Sequence, residues 1–389
     1  MEYKYARRMS EIKASEIREL LKLTEKPEVI SFAGGLPAPE LFPIEEIRAV
    51  NNYVLDRCGE QALQYTTTEG WQPLRKWIAE RMNTQLGTSF CDENIMITHG
   101  SQQALDLSGK VFLDEGDVVL CESPTYLAAI SAFKAYGCRF VEIDTDDEGM
   151  IPASLEKALK EYPAAKLIYI IPNFQNPTGK TWSLERRKQA AELSAKYRVA
   201  VIEDNPYGEL RYEGDFLPSV KSFDRSGSVI CTGTFSKIFC PGYRIGWIAG
   251  DAEVIRKYVL VKQGADLQCN TIAQIVISAY LEQYDIDAHI DKIREVYRRR
   301  RDTAIEAITR YFPSDTLFTR PEGGLFLWVE LNEAINTTEL LERCIAENVA
   351  FAPGYSFFPT NAGSIPSALI FPTHRKKRSK KGLPASAMY

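Results

Sequence analysis

The chain has 389 residues, of which 45% are hydrophobic and 25% charged, and its formal net charge is −5. That balance belongs to a folded globular protein, and the length predicts two or three domains. No apolar run approaches the roughly 18 residues of a membrane-spanning helix, and the negative charge argues against general affinity for nucleic acid or anionic membrane.

The opening stretch, MEYKYARRMSEIKASEIREL, is charged throughout and has no apolar segment of the secretory kind, so a cytoplasmic location is expected. From about residue 95 to 250, apolar runs alternate with longer amphipathic stretches. This pattern predicts strands at Ile95–Thr98, Val118–Glu122, Arg139–Ile143, Leu167–Ile171, Val199–Glu203, Val229–Thr232 and Gly246–Ala249. Helical patterns lie between them at Gln103–Phe112, Tyr126–Tyr136 and Leu184–Tyr197. A long charged helix, Ile286–Tyr311, is followed by a strand and hairpin region, Leu317–Leu331, and a helix, Thr338–Glu347. The expected architecture is α/β: a large domain over residues 46–280 with a mostly parallel seven-stranded sheet. Residues 1–45 and 281–389 are expected to form an N-terminal segment and a smaller α+β domain. Eight cysteines are scattered without a CxxC pair, so neither a disulfide framework nor a metal site is expected.

The chemistry centres on Thr234-Phe235-Ser236-Lys237, which follows a buried strand and precedes Pro241-Gly242-Tyr243-Arg244. A lysine partly desolvated there, beside hydroxyls and an arginine, suits an imine-forming amine next to a phosphate seat. Asp204 lies at the C-terminal edge of a predicted parallel strand, where such sheets bind ligands, and could pair with a protonated ring nitrogen. Asn176, in Asn173-Phe174-Gln175-Asn176-Pro177-Thr178-Gly179, offers an amide to a ring hydroxyl. His99-Gly100-Ser101-Gln102 is a strand-to-helix turn of the kind that seats phosphate, and Tyr126 follows the next strand, placed to lay its ring over a cofactor. Each piece alone has an ordinary reading as a surface lysine, a turn, an N-cap serine or a core tyrosine.

Together, with 28 residues from Asn176 to Asp204 and 33 from Asp204 to Lys237, the motifs resemble those of class I/II, fold type I aminotransferases dependent on pyridoxal 5'-phosphate. The likeness is to the branch containing 2-aminoadipate and kynurenine aminotransferases, and it runs to about residue 360. It implies an internal aldimine at Lys237, a pyridine-nitrogen partner at Asp204, ring-oxygen contacts from Asn176 and Tyr207, and stacking by Tyr126. Phosphate ligands would be Ser101, Gln102, Thr234, Ser236 and Arg244. Tyr65 would reach the phosphate of a partner subunit, giving a homodimer with shared active sites. Substrate contacts would come from Asn176, from Gly35 in the Gly34-Gly35-Leu36-Pro37 loop, and from Arg18, which matches an arginine able to meet a distal carboxylate; a solvated helix residue is its alternative. The implied reaction moves an amino group from an α-amino acid to a 2-oxo acid, with 2-oxoglutarate the expected acceptor, by a ping-pong route. A β-lyase or decarboxylase on the same scaffold is the alternative enzyme. A regulatory effector domain of the MocR type is disfavoured because the fold's own N-terminal segment begins within the first twenty residues.

The resemblance also implies a closing strand of the form R-L-x-F-S, whose arginine clamps the substrate α-carboxylate, and an acidic helix after it. From about residue 364 the chain departs, reading Ser367-Ala368-Leu369-Ile370-Phe371-Pro372 and then a basic run to Tyr389. A shift of reading frame accounts for the switch. Permitted codons for Ala368 to Tyr389, read from one base earlier, spell RLDFSYPPKEEIEEGIARLGDV, which restores both features. A genuine basic tail is the alternative, and the gene sequence distinguishes them.

Overall fold

The computed structural model describes residues 3–10, 28–32, 34–360 and 368–372. In chain order it contains β1 (Ile30–Phe32), α1 (Ile44–Ala62), α2 (Gln72–Leu86), β2 (Ile95–Thr98), α3 (Gly100–Phe112), β3 (Val118–Glu122), α4 (Leu127–Lys134) and β4 (Arg139–Ile143). There follow a small hairpin, β5 (Thr145–Asp146) and β6 (Gly149–Met150), then α5 (Pro152–Glu161), β7 (Ala165–Ile170), α6 (Leu184–Tyr197), β8 (Ala200–Asp204), β9 (Val229–Thr234) and β10 (Gly246–Ala249). The remainder comprises α7 (Ala252–Gln263), α8 (Thr271–Gln283), α9 (Ile286–Tyr311), β11 (Leu317–Phe318), β12 (Phe326–Glu330), α10 (Thr337–Ala346), β13 (Val349–Pro353) and β14 (Ala368–Pro372).

Seven strands form the larger sheet in the order β2-β10-β9-β8-β7-β3-β4. All run parallel except β10, which is antiparallel to both β2 and β9. The central strands are mainly apolar and buried on both faces because helices cover them, with polar residues gathered toward their C-terminal ends in β3, β8 and β9. Alternation within β7 divides its side chains accordingly: Leu167 and Tyr169 join one buried cluster with Val119, Ile202 and Ile230. Ile168 and Ile170 join the opposite one with Leu120, Val201 and Val229. A second, five-stranded sheet has the order β1-β13-β14-β12-β11, so segments from both ends of the chain complete it.

Local signals explain the helices. Ser183 caps α6 by accepting from the Arg186 amide, and the helix ends at Arg198 in the left-handed region, φ 54°. In α9 the buried positions Ile286, Ile290, Ile293, Tyr297 and Arg301 recur every three or four residues, the stripe of a helix packed along one side.

The structure moves several predicted boundaries. The strand expected at Val199–Glu203 runs one residue later, which makes Asp204 its last member, and α3 starts at Gly100 rather than Gln103. Tyr126 is the N-cap of α4 instead of its first residue. No sequence signal singled out β1, a short strand whose pairing is supplied by distant β13, whereas β14, paired with β12 and β13, falls where the resemblance implies a closing strand. Among the described residues no helix is long and apolar enough to cross a membrane.

Candidate active site

The site forms where β2, β7, β8 and β9 end and β10 begins. Gly246, first in β10, lies opposite both Thr98 and Thr234. A Cβ on Gly246 would come within 2.8 Å of the Gly100 backbone and 2.7 Å of the Gly233 carbonyl, so only glycine allows this convergence. It brings the start of α3, the end of β9 and Arg244 together.

That meeting point is a cup of donors. Gly100 turns the chain with φ +69°, and a Cβ there would lie 2.6 Å from Arg244 Nη2. Arg244 Nη1 donates to Ser236 Oγ at 3.4 Å and Nη2 to the His99 carbonyl at 3.4 Å. Thr234 Oγ1 lies 2.9 Å from Ser236 Oγ and accepts from the Ser236 amide at 3.1 Å. Ser101 Oγ is buried at the N-terminus of α3 with no partner among the described residues. Positive helix-end field, guanidinium and unpaired hydroxyl together make an anion seat. Behind it, Asp266 accepts from Gln103 Nε2 at 2.6 Å and pairs with buried Lys262 at 2.6 Å. His99, Asp266 and Cys269 bring three potential metal ligands within 4.8 Å, but the ammonium of Lys262 already neutralises that carboxylate.

Beside the cup, Lys237 is half-buried, and its Nζ donates to the Gly35 carbonyl at 3.0 Å and lies 5.9 Å from the Tyr207 ring centre. Burial, with the nearby charge of Arg244 second, lowers its pKa to about 8. Gly35 has no room for a side chain, since a Cβ would sit 2.4 Å from the Phe326 ring. Asn176 Nδ2 donates to the Tyr207 hydroxyl at 3.3 Å, while its buried Oδ1 has no partner among the described residues. The loop carrying Asn176 is anchored by fully buried Arg187, which donates to the Pro172 carbonyl at 2.8 Å and Asn173 Oδ1 at 2.7 Å. Gln175 ties the same loop to the Pro124 carbonyl at 2.7 Å, close to Tyr126.

Asp204 is 1% exposed. Its Oδ1 accepts from Thr232 Oγ1 at 2.6 Å and its Oδ2 from the Tyr169 hydroxyl at 2.9 Å. Burial pushes its carboxyl up to about 6, against the two hydrogen bonds that favour the charged form.

Comparison with known proteins gives this cluster its context. Residues 29–365 match the family model for aminotransferase class I and II. The chain belongs to that family. It is 49% identical over 351 residues to aromatic-amino-acid aminotransferase 1 of Thermococcus litoralis, covering 89% of this chain and 84% of that protein. To 2-aminoadipate transaminase of Thermus thermophilus it is 41% identical over 376 residues, 96% of this chain and 92% of the relative. The Pyrococcus horikoshii kynurenine aminotransferase, solved in complex with PMP, superposes with a TM-score of 0.90 at 43% identity over 95% of this chain and 92% of that one.

The protein is therefore an aminotransferase of fold type I that uses pyridoxal 5'-phosphate. Its residues fit that cofactor. Two buried polar atoms, Ser101 Oγ and Asn176 Oδ1, lack partners among the described residues, as groups awaiting a ligand do, and a buried carboxylate and a lysine of lowered pKa lie in the same crevice.

Of the residues expected from sequence, Ser101, Thr234, Ser236 and Arg244 converge at the cup, and Lys237, Tyr207, Asn176 and Gly35 adjoin through the contacts above. Tyr126 is half-buried and close enough to Tyr207 to help burial raise that phenol's pKa. Gln102 Nε2 donates to the Ala128 carbonyl at 3.4 Å, turned toward α4. Tyr65 is 77% exposed on the single chain. Arg18 and the basic run after Pro372 lie outside the described residues. Sequence reasoning missed Tyr169 and Thr232. Thr232 could have been found from register, because it stands directly opposite Asp204 across β8 and β9.

Proposed function

We propose that the enzyme transfers an amino group from an aromatic amino acid, kynurenine or 2-aminoadipate to 2-oxoglutarate in two half-reactions that share one site. The observation that carries this is the lysine itself: Lys237 Nζ sits between the Gly35 carbonyl and the Tyr207 ring, with its pKa lowered to about 8. An amine so tuned is partly neutral at physiological pH and serves as nucleophile and base. The named relatives support the choice of donors.

In this reading Ser101, Gln102, Thr234, Ser236 and Arg244 hold the cofactor phosphate, and Asn176 and Tyr207 meet the ring oxygen. When bound, the cofactor supplies an electron sink that acidifies the substrate Cα–H. Asp204 keeps the proton on the ring nitrogen. Lys237 Nζ would take the Cα proton and hold it for return within the bound complex. Tyr126 covers the ring and excludes water from that face. Gly35 and Asn176 line the substrate side, and Arg18 is the candidate for a distal carboxylate. Residues 46–280 would act as the cofactor-binding unit, with the N-terminal segment and residues 281–389 as the smaller one.

Exposed Tyr65 and Leu63, at 77% and 73%, support a homodimer in which Tyr65 completes the partner's phosphate seat. All eight cysteines are free thiols, which suits the reducing cytoplasm. Incubation with amino acid alone should release one equivalent of 2-oxo acid per site and stop, and 2-oxoglutarate should then restart it. Continuous release of ammonia or carbon dioxide without acceptor would instead identify a lyase or decarboxylase. Lys237→Ala should reduce turnover to background.

A further inference from the structure

Asp204 is held by its neighbours in the sheet. β8 lies between β9 and β7, and each flanking strand sends one hydroxyl to the carboxylate. Thr232 stands opposite Asp204 in the register, and Tyr169 stands opposite Ile202, two residues before it on the same sheet face. Period-two alternation therefore puts all three side chains on one side of the sheet. The two donors take different oxygens, Thr232 on Oδ1 at 2.6 Å and Tyr169 on Oδ2 at 2.9 Å, so the carboxylate plane is pinned from both sides.

Tyr169 is 1% exposed, and its ring packs edge-on against Phe133 with centroids 5.8 Å apart, which leaves the phenol little freedom to turn away. Among the described residues these two neutral hydroxyls are the side-chain hydrogen-bond partners of Asp204. A guanidinium or ammonium in their place would neutralise the carboxylate. Hydroxyls stabilise its charge and leave that charge available to a further proton donor.

We propose that Tyr169 and Thr232 are positioning residues for the reaction, fixing the Asp204 carboxylate, in its ionised form, in the orientation that receives the cofactor's ring nitrogen. The inference rests on the role given to Asp204 above. Without the hydroxyls, a buried carboxylate with unsatisfied lone pairs rotates or takes up a proton, and its hold on the ring nitrogen weakens.

The test uses the full-length holoenzyme and compares Tyr169→Phe, Thr232→Val, Thr232→Ser and Asp204→Asn. Three quantities are read: kcat against KM, the cofactor dissociation constant, and the pH midpoint of the bound cofactor's visible absorption. Tyr169→Phe and Thr232→Val should each lower kcat roughly tenfold or more with little change in KM, as deletion of a hydrogen bond to a charged group does. They should move the absorption midpoint in the same direction as Asp204→Asn but less far, and Thr232→Ser should restore both. Variants that lose only thermal stability, with kcat and midpoint unchanged while Asp204→Asn alters them, overturn the proposal and leave the role of Asp204 standing. If Asp204→Asn alters neither, both fail.

Discussion

The lowered pKa of Lys237 can be measured without turnover. Its ordinary value is 10.5, and burial with Arg244 nearby brings it to about 8. At pH 7 the neutral fraction rises from about 0.03% to about 9%, roughly 300-fold. A short pulse of an amine-acylating reagent on cofactor-free protein between pH 6 and 11, followed by peptide mass spectrometry, reports that fraction directly. Access through the crevice lowers the absolute rate, so the midpoint of the profile is the diagnostic quantity. It should fall near 8, below that of exposed lysines in the same digest. Arg244→Gln should raise it by less than replacement of the burying residues would, because charge repulsion is the secondary cause. The same shift has a stability consequence. The folded lysine holds its proton less tightly than the unfolded one, so the penalty for Lys237 is fully present below about 8 and fades as pH rises toward 10.5. Cofactor-free Lys237→Met should accordingly gain most over wild type at neutral pH. A labelling midpoint at 10.5 would refute the reasoning.

Asp204→Asn should cut turnover at least about a hundredfold, yet stabilise the cofactor-free protein at pH 8. The Asp204 carboxyl is raised from 3.8 to about 6, so ionising it costs folding free energy that grows across that interval to about 3 kcal/mol, and denaturant curves at pH 4 and 8 should separate accordingly. Gly100→Ala forces a β-carbon into the left-handed region and to within 2.6 Å of Arg244 Nη2. It should weaken cofactor binding roughly tenfold in a fluorescence titration, since the backbone term alone costs about 1 kcal/mol. Ala368→Arg should raise kcat/KM for amino acids on the order of a hundredfold by supplying a bidentate carboxylate partner, and leave an amine without a carboxylate unaffected.

Much of the large sheet was legible because its strands are nearly uniform apolar runs closed by turn residues, as in Leu167–Ile171 and Val229–Thr232. The grouping of the candidate site was legible for a related reason: residues at the ends of parallel strands share one crevice, so Ser101, Asn176, Asp204 and Lys237 fall on the same edge of the sheet whatever their separation in the chain. Tyr169 was hidden inside an apolar run, where one tyrosine reads as core, and only the register of β7 against β8 reveals what its hydroxyl meets. The antiparallel course of β10 also left no local mark, since Gly246-Trp247-Ile248-Ala249 has the texture of its parallel neighbours. Gly35 was marked as a substrate-loop residue, but its carbonyl's contact with Lys237 spans 202 positions and follows from tertiary packing alone.

The ending of the chain separates fold from function most sharply. β14 sits between β13 and β12, with Leu369 buried in one cluster and Ala368 and Ile370 in another on the opposite face. Such a position asks of a strand only that it alternate small or apolar residues and pair its backbone, and Ala368-Leu369-Ile370 does so as well as an arginine-bearing strand with leucine at the same register. The sheet is thus indifferent to a change at the position where the resemblance implies a carboxylate-clamping arginine. The family match spans residues 29–365 and contains every residue assigned to the cofactor, from Tyr65 to Arg244. The residues proposed for the cofactor therefore lie in a part of the chain that the ending does not touch, whereas the carboxylate-clamping arginine that the resemblance implies would lie on β14, beyond that match.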